Sequence, residues 1–129
     1  MSDKIIGIIG PTGLVTDIVA TFYDLIFTSE KIVATTIGWP GVNSLSKKKD
    51  TELQELPIDK ILLNDKKNFE VHYSDIHKIK IKKPGLLIGA EINIITYSTN
   101  YRFYIKEKKA FDKHVNLVRS VLNDKLELI

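Results

Sequence analysis

The sequence predicts an α+β domain that is mainly antiparallel β, with about seven strands, a helical insert and a C-terminal amphipathic helix. Three observations carry this expectation. Short runs of β-branched and aromatic residues recur between turn-forming clusters. A lysine-rich stretch near the middle breaks that pattern and carries helix signals. The last segment switches from a period of two to a period near 3.6. At 129 residues the chain is long enough for one core and one domain, residues 1–129.

The elements follow in order. Lys4 to Ile9 is a β-branched run that meets the turn cluster Gly10-Pro11-Thr12-Gly13. Val19 to Thr28 holds Phe22, Tyr23, Leu25, Ile26 and Phe27, residues that fit a pleated, half-buried surface. Ser29-Glu30-Lys31 reverses the chain, and Ile32 to Ile37 returns as the second arm of a hairpin. In the insert, about residues 45–63, Thr51 and Gln54 suit a capping box. Pro57 cannot continue that helix but can open another. Two helical pieces are therefore expected, 45–56 and 57–63.

Strands resume at Asn68 to Tyr73, with Ser74-Asp75 as a turn or bulge. From Ile76 to Lys82 the residues alternate, so His77, Ile79 and Ile81 are expected on one face and Lys78, Lys80 and Lys82 on the other. Short strands at Leu86–Ile88 and Glu91–Tyr97 follow, then a turn at Ser98-Thr99-Asn100 and a strand from Tyr101 to Lys106. Tyr101, Phe103 and Ile105 share one of its faces; Arg102, Tyr104 and Lys106 share the other. From about 110 to 128, Phe111, Val115, Val118, Leu122 and Leu126 form an apolar helical stripe. A stripe of this width must pack on something, and a sheet edge or the open end of a small barrel would suit it.

Composition narrows the function classes. The absence of cysteine excludes disulfide scaffolds, thiolate zinc sites and cysteine nucleophiles. Of 19 basic residues only Arg102 and Arg119 are arginine. Arginine supplies the bidentate fork that reads guanine edges and phosphate, so sequence-specific nucleic-acid recognition is not expected. No apolar run approaches the roughly 20 residues of a membrane span, and no signal peptide is read at the N-terminus, so a cytoplasmic protein is expected.

Two stretches resemble known domains. Asp24-Leu25-Ile26-Phe27-Thr28-Ser29-Glu30-Lys31-Ile32-Val33 is similar to the hairpin near the start of GRAM-like and small prokaryotic pleckstrin-homology-like domains. Asn68-Phe69-Glu70-Val71-His72-Tyr73-Ser74-Asp75-Ile76 resembles their segment in which one strand passes into the next through Tyr-Ser-Asp-Ile. The resemblance implies a bent sheet or partly open barrel with the last helix over one end, and structural roles for Tyr73 and Ile76 at a sheet corner. It brings no catalytic residue. Relatives of this kind in eukaryotes often bind phosphoinositides or protein motifs.

Four constellations carry candidate chemistry. Gly7, Gly10 and Gly13 follow a strand as in a dinucleotide fingerprint, but that fingerprint needs a helix next, and residues 15–28 are strand-forming. Lys78, Lys80, Lys82 and Lys83 form a basic stripe, which Arg102, Tyr104 and Lys106 extend if their strand is near. Such a patch attracts phosphate or an acidic membrane surface, and it equally suits a solvated sheet face or a lysine-guarded edge. Trp39 sits beside Pro40-Gly41, as a plug under the sheet or as a contact with a partner or lipid interface. His72, His77 and His114 are scattered, and Ser74, Asp75 and His77 lie too close along the chain for triad geometry, so no metal, cofactor or catalytic site is expected. A non-enzymatic interaction module remains, one that binds a protein partner through sheet edges or loops, or pairs with itself through exposed sheet edges. Weak attachment to an anionic membrane surface through the lysine face is the alternative.

Overall fold

The computed structural model describes residues 4–16, 19–37, 45, 55, 57–85, 89–105 and 110–129. Among the described residues the strands are β1 (Ile5–Thr16), β2 (Val19–Thr28), β3 (Lys31–Thr36), β4 (Phe69–His72), β5 (Ile76–Lys82), β6 (Ala90–Thr96), β7 (Asn100–Ile105) and β8 (Leu126–Leu128), and the α-helices are α1 (Ile58–Asn64) and α2 (Phe111–Leu122). All eight strands form one sheet in the order β4-β3-β2-β1-β7-β6-β5-β8. Every neighbouring pair is antiparallel except β5 and β8, which run parallel. Two meanders, β1–β4 and β5–β7, are thus joined where β1 pairs with β7.

The sheet is strongly bent. Phe69 on β4 and Tyr101 on β7 are four strands apart, which in a flat sheet would separate them by about 19 Å. Their rings instead stack with centroids 4.8 Å apart. Tyr23 bridges the same region, edge-on to Phe69 at 5.5 Å and to Phe103 at 6.1 Å. The fold-over encloses the main core, which includes Ile9, Leu25, Phe27, Ile79, Ile92 and Phe103. Helix α2 closes it with Val115, Val118 and Leu122, and the exposed Lys113, Asn116, Arg119 and Ser120 face away, as the stripe predicts. Leu117 lies directly over Gly7, where a Cβ would stand 2.8 Å from its Cδ1.

A second apolar cluster covers the opposite face of the first meander. Ile5, Ile8, Ile26 and Val33 pack there against Leu45 and against Ile58, Ile61 and Leu62 of α1. The β1–β3 part of the sheet is therefore apolar on both faces, which explains the near-continuous apolar runs of β2 and β3. Asn68 ties α1 to the sheet: its Nδ2 donates to the Ile61 carbonyl at 2.7 Å, and its Oδ1 accepts the Thr36 N–H at 2.7 Å.

Three expectations are corrected. The first strand does not end at Gly10-Pro11. Ile9 faces Leu25 and Thr12 faces Tyr23, so Gly10 and Pro11 share Asp24 as a bulge and β1 continues to Thr16. The exposed Pro11 is tolerated there because a bulged residue need not donate to the ladder. His77 does not share a face with Ile79 and Ile81. A bulge at Ile76-His77 turns Ile76 inward and His77 outward, against the Tyr97 ring. The C-terminal helix ends at Leu122, which leaves helical backbone (φ −136°, ψ 37°). Asn123-Asp124-Lys125 then makes one turn of 3-10 helix, and Leu126–Leu128 becomes an eighth strand, so Leu126 reaches the core from a strand. In the insert, α1 matches the second helical piece; the first piece, 45–56, and the strand expected at 86–88 lie outside the described residues apart from Leu45 and Glu55.

The β2–β3 and β6–β7 hairpins use one local device. Thr28 Oγ1 donates to the Lys31 carbonyl at 2.9 Å and accepts the Lys31 N–H at 3.0 Å. Thr96 Oγ1 makes the matching pair with Thr99, at 2.7 and 2.9 Å. A hydroxyl that both donates and accepts closes each reversal without a glycine.

Candidate interaction surfaces

The outer face of the second meander carries the basic stripe. Lys78, Lys80 and Lys82 project from β5, opposite Ile95, Asn93 and Glu91 of β6. Glu91 and Asn93 in turn face Tyr104 and Arg102 of β7. The fold therefore brings Arg102 and Tyr104 onto the lysine face, with one strand between. Two cross-strand rows result: Glu127-Lys80-Asn93-Arg102, and Lys82-Glu91-Tyr104-Gly13-Phe22. Lys83 is exposed just past β5; Lys106 and Trp39 lie outside the described residues.

Each row mixes the two signs. Lys78 Nζ lies 3.0 Å from Glu127 Oε2, and Arg102 Nε lies 2.7 Å from Glu91 Oε1. The Lys78 hydrogen bond, with the charges of Lys78 and Lys80, holds the Glu127 carboxyl below its usual value. Two carboxylates thus sit among the cations, a pattern that suits a hydrated face and cross-strand pairing.

The glycines are strand residues. Gly7 lies beneath α2, Gly10 lies beneath the Asp24 carboxylate, and Gly13 lies between Tyr104 and Phe22. No helix opens after them, and β1 pairs with β2 and β7. They do not form the loop that would cradle a phosphate.

Asp24 is the residue that sequence reasoning missed. It is fully buried, and its Oδ2 accepts the Leu45 N–H, which fastens the start of the insert to the sheet. A lone acid in an otherwise apolar strand was the available signal; its place opposite the Gly10-Pro11 bulge appears only in the register. His72 is exposed beside Glu70, His77 is exposed beside Tyr97, and His114 is buried on α2, so the three histidines do not converge. Among the described residues no group of three His, Asp or Glu side chains could hold a metal ion.

The Tyr-Ser-Asp-Ile segment forms a corner. Tyr73–Asp75 is one turn of 3-10 helix between β4 and β5, and Ile76 is fully buried after it. Tyr73 donates its hydroxyl to the Thr28 carbonyl at 2.5 Å and its N–H to the Glu30 carbonyl at 3.0 Å. Its own carbonyl accepts Lys125 Nζ at 2.8 Å. A cleft of about 410 Å³ opens beside it, lined by Ser74, Ser120, Val121, Asn123 and Asp124 among others.

The two sheet edges differ. At β4, Glu70 and His72 are exposed, and Lys31 Nζ lies 2.8 Å from Glu70 Oε2; that hydrogen bond, the Lys31 charge and His72 lower the Glu70 carboxyl. Charge protects this edge against further pairing. At β8, Ile129 N–H donates to the Ile81 carbonyl at 3.0 Å, so Glu127 and Ile129 direct their backbone toward β5. Alternation then turns the Leu126 and Leu128 backbone groups toward the open edge. The Leu126 N–H is taken by the Asn123 carbonyl; the Leu128 N–H and carbonyl face outward. Leu128 is 49% exposed and Ile129 62%. The one charge on β8, Glu127, is matched by Lys78.

Among the described residues no helix is long and apolar enough to cross a membrane. Comparison with protein-family models and with curated proteins finds no match.

Proposed function

We propose that this chain is a non-enzymatic, pleckstrin-homology-like interaction module that binds a protein partner by adding a strand to the β8 edge. The observation that carries the reading is the outward-facing Leu128 backbone beside the exposed Leu128 and Ile129 side chains. Strand addition gains affinity from main-chain hydrogen bonds and selectivity from alternate side chains, and it needs no catalytic group. The pleckstrin-homology-like assignment is supported by the bent sheet, the helix that follows β7, and the bonds from Tyr73 to Thr28 and Glu30. Those bonds join the two segments whose sequences suggested the family.

The lysine face is the less favoured surface because Glu91 and Glu127 interrupt it and would repel an anionic sheet of phosphates. The test is selection of a random peptide library on the folded protein, followed by amide chemical-shift mapping with a selected peptide. Shifts centred on residues 126–129 and on β5 are expected. Shifts centred on Asn93, Arg102 and Tyr104 would overturn the reading in favour of the outer face.

A further inference from the structure

Resting on strand addition at β8, we infer that the strand added is the β8 of a second copy, paired antiparallel about a two-fold axis at Leu128. The edge is complementary to itself. In an antiparallel pair, residues whose backbones face each other exchange both N–H···O=C bonds. Leu128 is the residue of β8 with both groups facing outward, so two copies centred there form two mutual bonds. Leu128 then stands opposite Leu128 of the second copy, and Glu127 stands opposite the second copy's Ile129. Glu127 keeps Lys78 as its partner, which offsets its charge beside the second copy.

Side-chain direction agrees. Leu126 and Leu128 lie in register with the buried Ile79 and Ile81, so they share the inner side of the sheet. Pairing extends that apolar row across the axis and covers Leu128 and Ile129, two of the larger exposed apolar side chains among the described residues. The β4 edge lacks this self-complementarity, because Glu70 and its ion pair with Lys31 would have to be desolvated.

The experiment is sedimentation equilibrium of the full chain from about 10 µM to about 1 mM, a range over which weak self-association changes the mass. The mass is expected to rise from 14.7 kDa toward twice that value. Leu128→Pro removes an N–H that faces away from β5, and so spares the β5–β8 bonds while deleting the intermolecular ones. Leu128→Lys places two cations across the axis. Each variant should weaken association about tenfold or more, while far-UV circular dichroism still shows the folded spectrum and one cooperative melt at a concentration where the parent chain is monomeric. A chain that stays monomeric throughout overturns the second-copy inference. If that monomer still shows peptide-dependent shifts at residues 126–129, strand addition at β8 stands and only the identity of the partner was wrong. Association that neither variant weakens overturns the two-fold axis at Leu128.

Discussion

Gly10→Ala tests the fit between the β1 bulge and the insert. An added Cβ would stand 1.9 Å from Asp24 Oδ1, 2.9 Å from its Cγ and 3.2 Å from its Cα. Separations below 3.0 Å essentially do not occur for real Cβ atoms. The Asp24 side chain must therefore swing away or β1 must part from β2. Swinging away breaks the bond from the Leu45 N–H and leaves a buried carboxylate short of a donor, at about 1.5–3 kcal/mol. Strain in a packed site adds about 1–3 kcal/mol. The lower entropy of the unfolded alanine chain returns about 0.4–1 kcal/mol. The net expectation is a loss of about 2–5 kcal/mol, read from the urea midpoint at constant m-value. A double-mutant cycle with Asp24→Ala isolates the cause, because without the carboxylate the added methyl should cost less than about 1 kcal/mol. Additivity of the two substitutions within about 0.5 kcal/mol would refute the contact as the origin of the loss.

Further outcomes are expected elsewhere. Tyr73→Phe removes the hydroxyl that donates to the Thr28 carbonyl and should cost about 1 kcal/mol in urea melts; no loss would mean water replaces it freely. Thr28→Val should cost about 1–2 kcal/mol and Thr96→Val less, since Thr28 is buried and the Thr96 turn is exposed; a reversed order by equilibrium unfolding would contradict the burial argument. Glu70 has a lowered carboxyl, so its contribution is in place above the unfolded value of about 4.3 and is lost as pH falls through the lower folded value. With Glu70 about one-third exposed, solvent screening limits the contribution to about 0.2–1 kcal/mol; Lys31→Met should flatten stability against pH in that acid window, and an unchanged slope would exclude the pair.

The legible parts of the fold were those written in local pattern. The Ile79–Ile81 alternation, the Tyr101-Phe103-Ile105 face and the Val115-Val118-Leu122 stripe each sort apolar from polar residues at one period, and burial follows them. The misplaced parts depend on partners distant in sequence. Gly10-Pro11 has turn chemistry, yet pairing with β2 carries the chain straight through it as a bulge. Leu126 falls four residues after Leu122 and so mimics the next step of a helical stripe, while Asn123-Asp124 supplied the overlooked stop signal and an open β5 edge supplied the partner. The lysine stripe was visible, but the carboxylates that interrupt it come from β6 and β8, and only the register reveals them. Asp24 escaped notice because its significance lies in a glycine across the ladder and an amide from the insert.

The bonds around Tyr73 have a mechanical consequence. One residue holds the tip of the β2–β3 hairpin through its hydroxyl and N–H, and through its carbonyl holds the lysine that immediately precedes the terminal strand. A load applied to the tail therefore reaches the far hairpin through three short links and a single aromatic ring. The corner works as a rivet through parts of the chain that lie 45 positions before it and 52 after it, and loosening it would let both work free together.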